Sequence, residues 1–263
     1  MMPQDADLLV KSGDLDGARA ALVEVVRTSP GDASARMFLF QLLALGGEWD
    51  KAKTQLTTLA QLSPEAQMLS VVYGQAMEAE RERAEVFAGR AEARQHVTSP
   101  WVEGLIEAIH HFANSRDAEG MRARDAAFDA APDSAGTLDG QAFDWIADGD
   151  GRFGPCFEMI VANRYGLQAF DQVERIESAG PKDLRDLLWY PVQIAFRNGP
   201  SIAALLPARY PQGDAILTAE QRLARATDWQ DAPWGSAGHG QHVWTLSDGK
   251  EYGLLSLRQL RFA

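Results

Sequence analysis

A chain of 263 residues with 46% hydrophobic and 24% charged content has the makeup of a folded globular protein, either one large domain or two ordinary ones. Its 37 acidic against 25 basic residues leave a net charge of −12, which argues against nucleic-acid backbones or anionic lipid as partners and favours a basic or amphipathic peptide segment. No apolar run approaches the roughly 18 residues of a membrane span, the first ten residues lack the pattern of a secretory signal, and the lone Cys156 permits no intrachain disulfide, so a cytoplasmic location is expected.

The first half carries an internal repeat. Gly13-Asp14-Leu15-Asp16-Gly17-Ala18 aligns with Gly47-Glu48-Trp49-Asp50-Lys51-Ala52, and the same shift carries Leu22 to Leu56 and Ser29-Pro30 to Ser63-Pro64. The shift is that of tetratricopeptide repeats, about 34 residues, in which antiparallel helix pairs stack on one another. Each Gly-acid pair predicts the turn inside a helical hairpin, and each proline predicts the stop after its second helix. A long helix with charges alternating from Glu78 to Glu85 is expected over residues 65–94. Helices around Trp101–Phe112 and Ala118–Ala130 then complete a degenerate last hairpin before Pro132. Such arrays bind peptides along the first helices of each pair, where Phe38, Gln41, Leu42 and Leu45 stand as candidate contacts.

From Phe143 onward the pattern shortens to strands. Cys156–Ala162 and Tyr165–Phe170 read as a hairpin about Asn163-Arg164, and Val173–Ile176 as a further strand. Asn198-Gly199 and Asp248-Gly249 are two more hairpin signals, and a helix is expected over Thr218–Ala226. The fold class is therefore α+β in two domains. A tetratricopeptide-like helical array covers residues 1–135, and a small antiparallel β-rich domain (a bent sheet or partial barrel with one or two helices) covers 136–263.

Between the halves lies Gly149-Asp150-Gly151-Arg152-Phe153-Gly154, a literal G-x-G-x-x-G. A dinucleotide site needs a buried strand before the glycines and a crossover helix after them. Too few residues separate Pro155 from the Asn163 turn to hold that helix. An EF-hand fails too, because Arg152 stands where an oxygen ligand belongs. The glycines are read as tight turns. His239 and His242 read as exposed residues of a flexible loop, and Cys156 as an inert thiol in an apolar strand. No nucleophile elbow, metal set or carboxylate pair stands out, so no cofactor, no metal and no enzymatic activity are expected.

Several segments in order carry a resemblance: Asp139-Gly140-Gln141-Ala142-Phe143-Asp144-Trp145, Arg152-Phe153-Gly154-Pro155, Asp183-Leu184-Arg185-Asp186-Leu187-Leu188-Trp189, Pro207-Ala208-Arg209-Tyr210-Pro211 and Ala224-Arg225-Ala226-Thr227-Asp228-Trp229. With Phe38-Leu39-Phe40-Gln41-Leu42-Leu43 in the first half, the chain resembles the type VI secretion accessory family known as TagJ, ImpE or SciE. That resemblance implies a cytoplasmic, non-enzymatic adaptor. It implies binding to an N-terminal helix of the small contractile-sheath subunit and a link to the AAA+ ATPase that recycles the sheath. The alternative reading is an anion- or peptide-binding pocket, or an enzyme, in residues 138–263. Trp145, Arg152, Arg185, Trp189, Arg209 and Tyr210 would build it. Exposed tryptophans leave a homo-oligomer open as well.

Overall fold

The computed structural model describes residues 3–213 and 215–263. Seven helices come first: α1 Pro3–Lys11, α2 Leu15–Thr28, α3 Ala33–Leu45, α4 Trp49–Leu62, α5 Glu65–Phe87, α6 Val102–Ala113 and α7 Asp117–Ala130. Gly13 and Gly47 take the positive φ (84° and 72°) that ends the first helix of a hairpin. The carboxylate of Asp14 then accepts from the Gly17 amide, at 2.8 Å, to begin α2.

The repeat phase continues past its visible copies and breaks once. The second helices start at Leu15 and Trp49, and α7 starts in phase with them at Asp117, after Ser115 at φ 56°. The equivalent positions in the third unit are Arg81, Glu82 and Arg83. Lacking a glycine there, α5 does not turn but runs on to Phe87, and Arg83 stands where a second helix would begin. The chain from Ala88 to Trp101 then leaves the array and lies along the sheet instead. Leu167 donates to the Arg94 carbonyl at 2.7 Å, and Gln95 bridges Leu167. This segment covers a strand edge that would otherwise be open to pairing.

The strands are β1 Gly136–Leu138, β2 Gln141–Phe143, β3 Ile146–Asp148, β4 Cys156–Val161, β5 Arg164–Ala169, β6 Val173–Glu177, β7 Trp189–Phe196 and β8 Ser201–Pro207. After the short helix α8 Ala219–Arg222 come β9 Thr227–Ala232, β10 Gly235–Gly240, β11 Val243–Leu246, β12 Glu251–Gly253 and β13 Gln259–Phe262. Eight strands form one antiparallel sheet in the order β2-β1-β13-β6-β7-β8-β4-β5, while β12-β11-β3 and β10-β9 form two smaller sheets. The hairpins expected at Asn163, Asn198-Gly199 and Asp248-Gly249 are present as β4–β5, β7–β8 and β11–β12. The helix expected over 218–226 is only four residues long, capped at Thr218 and stopped by Ala224 at φ 51°.

Strand β4 is buried on both faces and alternates between two cores. Cys156 and Ile160 pack with helical residues such as Tyr73, Met77 and Val86 in a core that spans both halves of the chain. Phe157 and Met159 point the other way, into a core with Trp244, Leu246 and Leu260. By the same alternation Glu158 faces the helices. A carboxylate is thereby aimed at the buried side of α5.

Candidate functional site

Along α5 the buried face runs through Tyr73, Ala76, Met77, Glu80, Arg83 and Val86, so Glu80 and Arg83 meet the sheet one turn apart. The Arg83 guanidinium grips Glu158 with two bonds of 2.7 Å, from Nε and Nη2. Nη2 also reaches the Arg209 carbonyl at 2.7 Å, and Nη1 lies 3.3 Å from Glu80. Glu158 takes a further bond from the Tyr165 hydroxyl at 2.7 Å. The other oxygen of Glu80 accepts from the Trp189 indole at 3.1 Å.

His242, between β10 and β11, extends this cluster. Its Nε2 lies 2.8 Å from Glu158 and its Nδ1 2.8 Å from Asp148, at the end of β3. Asp148 in turn accepts from the Tyr210 hydroxyl at 2.8 Å and the Asp150 amide at 2.9 Å. Asp150 holds the Arg152 side chain through bonds of 2.9 and 2.6 Å and accepts the Gly238 amide at 2.9 Å. Among the described residues Arg209 pairs with no carboxylate. Its guanidinium caps the last carbonyl of α3, at Leu45, from 3.3 Å and takes the Arg222 carbonyl at 2.9 Å. Three arginines and a protonated His242 thus stand against four carboxylates inside the protein.

The electrostatics follow from that list. Burial alone would depress the His242 imidazole, but Asp148, and with it Glu158, overrides burial and raises its pKa to about 9. Both ring nitrogens face carboxylate oxygens, so the doubly protonated ring satisfies both. Burial pushes Glu158 up, yet the Arg83 and His242 charges win and hold it well below the usual carboxylate range. Burial also pushes up the Asp148 carboxyl, with His242 pulling against it. Arg209, desolvated among carbonyls, is lowered to about 10. Beside Glu158 and His242 the packing leaves no room for a water molecule. Chemically the cluster is a charge-neutral clasp that ties α5 to β3, β4 and β5. Every charge in it has hydrogen-bond partners, as burial demands.

The seam loop is part of the clasp. The Gly149 amide donates to the Val243 carbonyl, Gly151 to Ser236 and Phe153 to Asp150, so the amides that would cradle a phosphate are already spent. A side chain at Gly151 would run into the Trp234 carbonyl, and one at Gly154 into the Phe128 ring. Of the three motif glycines only Gly154 has positive φ, at 51°. The expected tight turn is present, with the Phe153 amide closing on the Asp150 carbonyl around Gly151, and Gly149 and Gly151 serve close approach as well. Beside the loop, Trp145, Phe128 and Pro132 border a shallow cleft of about 290 Å³.

A second concavity lies in the helical array. Met37, Phe38 and Gln41 of α3 face Ala66 and Leu69 of α5 across a crevice of about 360 Å³, with Leu59 of α4 at its floor. The C-terminal half fills the array beyond it. Trp189 packs on Tyr73 and Trp49, with ring centroids 5.6 and 6.0 Å apart, and Arg185 bonds the Tyr73 hydroxyl at 2.9 Å.

Over 258 residues the chain is 37% identical to the type VI secretion system accessory component TagJ of Pseudomonas aeruginosa, covering 98% of this chain and 90% of that protein. The chain belongs to the TagJ/ImpE family. The family described as ImpE protein matches residues 140–261, and the tetratricopeptide repeat family matches residues 9–72. Protein VPA1032 of Vibrio parahaemolyticus, solved by X-ray crystallography, shares the fold with a TM-score of 0.88 at 20% identity, over 98% of this chain and 97% of that one. Among the described residues of this TagJ/ImpE-family chain, no helix is long and apolar enough to cross a membrane.

The candidate residues fall into four groups. Phe38 and Gln41 line the crevice, Phe38 half-buried and Gln41 buried at 6% exposure, whereas Leu42 and Leu45 behind them are buried at 4% and 2%. Arg152, Arg209 and Tyr210 converge on the buried clasp, where their polar groups are taken by internal partners. Trp189 is fully buried beside the clasp, donating to Glu80, while Arg185 lies next to it against α3 and α5, also paired to Asp183. Trp145 is alone at the surface, 42% exposed.

The sequence reading missed Glu80, Arg83, Asp148, Glu158, Tyr165 and His242. His242 is the plain correction: expected in an exposed flexible loop, it is 3% exposed and central to the clasp. His239 belongs to β10 rather than to a loop. The missing turn at Arg81 was the available signal for Arg83, since a helix that outruns its repeat must carry its next turn into something else.

Proposed function

We propose that this chain is a non-enzymatic, cytoplasmic adaptor of type VI secretion. Its helical array, residues 1–135, holds an amphipathic helix at the N-terminus of the small contractile-sheath subunit, and residues 136–263 brace the array. Through that helix the adaptor links the sheath to the ATPase that recycles it. The observation that carries the reading is the crevice between α3 and α5, an open concavity with apolar walls on the helical array. Its walls are apolar at Met37, Phe38 and Leu69, with Gln41 and Glu65 as polar contacts. A helix can lay its apolar face there while Glu65 meets a basic flank. Family membership supports the secretion role, and the repeat match over residues 9–72 supports the binding mode.

Co-purification tests it. The small sheath subunit should be retained by the wild-type chain and lost when its N-terminal helix is deleted. Phe38→Asp should weaken retention by roughly tenfold or more, because a charge would be buried against an apolar ligand face. Retention of the helix-deleted subunit would contradict the proposal.

A further inference from the structure

The two visible repeats give α3 and α5 equivalent faces. The shift that carries Gly13 to Gly47 carries Ser34, Met37, Phe38 and Gln41 of α3 to Met68, Val71, Val72 and Gln75 of α5. In α3 those residues look towards the next first helix, which is α5 itself. Helix α6, the next first helix, touches α5, but among the described residues nothing covers this face. Met68 is 70% exposed, Val71 55% and Val72 37%, so the first half of α5, where the regular stacking breaks, presents an apolar face. Where the stacking of repeats stops, the outer face is ordinarily polar.

Two further observations identify what covers it. From Ala66 to Met77 α5 contains no charged residue, in a chain of net charge −12 whose other surfaces would repel their own copy. Gly74, inside this 23-residue helix, is less favourable than alanine because it leaves more backbone freedom to be lost on folding. A Cβ built there meets nothing within 4 Å, so no packing inside the chain requires the glycine. A second α5 laid antiparallel across a two-fold axis at Val71 explains both. In that register Met68 of each copy sits over the bare Gly74 of the other, and Gln67 faces Gln75. Glu65 falls opposite Met77, and its nearest like charge across the axis, Glu78, is already paired with Lys53 and Arg81 of its own chain. The face is self-complementary in size and uncharged across its middle, as a two-fold interface of like copies requires.

We propose that this uncovered face is a homodimer interface in which α5 packs antiparallel on α5 of a second copy, through Met68, Val71, Val72 and Gly74. The test is sedimentation equilibrium of the full chain without any partner. The expected species has twice the 28.8 kDa chain mass. Val71→Glu, which sets two carboxylates on the axis, should weaken the dimer by roughly a hundredfold or more. Gly74→Leu should also break it by filling the seat of Met68, while leaving thermal stability unchanged or raised. Phe38→Asp, in the crevice of the proposed function, should leave the dimer intact, so the two readings fail independently. A monomer at every concentration, or a dimer indifferent to both α5 variants, overturns the proposal. So does a monomer whose binding to a partner helix is lost in Val71→Glu, which would assign the face to that partner.

Discussion

Raising the pH through 9 should loosen the junction between array and sheet, and His242 fixes both the sign and the size of the effect. Its folded pKa, about 9, lies above the unfolded value of about 6.5. The stabilisation is therefore fully present below about pH 6.5 and lost as pH rises through 9. Two and a half units at about 1.4 kcal/mol each make roughly 3 kcal/mol. The group is buried, so solvent screening does not reduce it. Urea unfolding at a series of pH values from 6 to 10 measures this directly. The wild type should lose about 3 kcal/mol over that span. His242→Gln should be less stable at pH 6, because Asp148 and Glu158 would face each other without the cation, and should show a much flatter profile. A wild-type stability that does not fall between pH 6 and 10, or a variant with the same slope, would refute the imidazolium.

Further outcomes follow from the same contacts. Arg83→Met leaves Glu158 buried without its bidentate partner and should cost about 3–5 kcal/mol, read as a lower urea midpoint. Glu158, held below its unfolded pKa of about 4.5, contributes stability that is present above that value. This stability is lost as the pH falls through its lowered folded pKa, so acid unfolding should be steeper in the wild type than in Glu158→Gln. Gly151→Ala should destabilise by about 1–3 kcal/mol by pressing on the Trp234 carbonyl. It should leave partner binding by the folded fraction unchanged.

Much of the fold could be read from local pattern. The helical hairpins follow from Gly13-Asp14 and Gly47-Glu48, and three β-hairpins from short Asn and Gly signals, because turn chemistry acts within a few residues. The clasp could not be read in the same way. Arg83 hides in a run of alternating charge that looks like a solvated helix face, and only its place in the repeat phase sets it apart. Gly238-His239-Gly240-Gln241-His242 has the composition of a mobile loop. Its burial comes from Phe153 and Tyr210, 5.6 and 4.0 Å from the His242 ring and distant in sequence. The hairpin β9–β10 was missed because Asp228, Gln230 and Asp231 mask the alternation of an exposed strand. Burial of Leu42 follows from its place in the apolar stripe of α3, whereas that of Trp189 and Tyr210 depends on how the sheet seats against the array.

The central claim, that the α3–α5 crevice holds a helix of the small sheath subunit, is tested most directly by calorimetric titration of that isolated helix into the full chain. Saturable binding at one site per chain is predicted, at least tenfold weaker in Phe38→Asp and unchanged in Trp145→Ala. Binding that is absent from the wild type, or equal in Phe38→Asp, would contradict it.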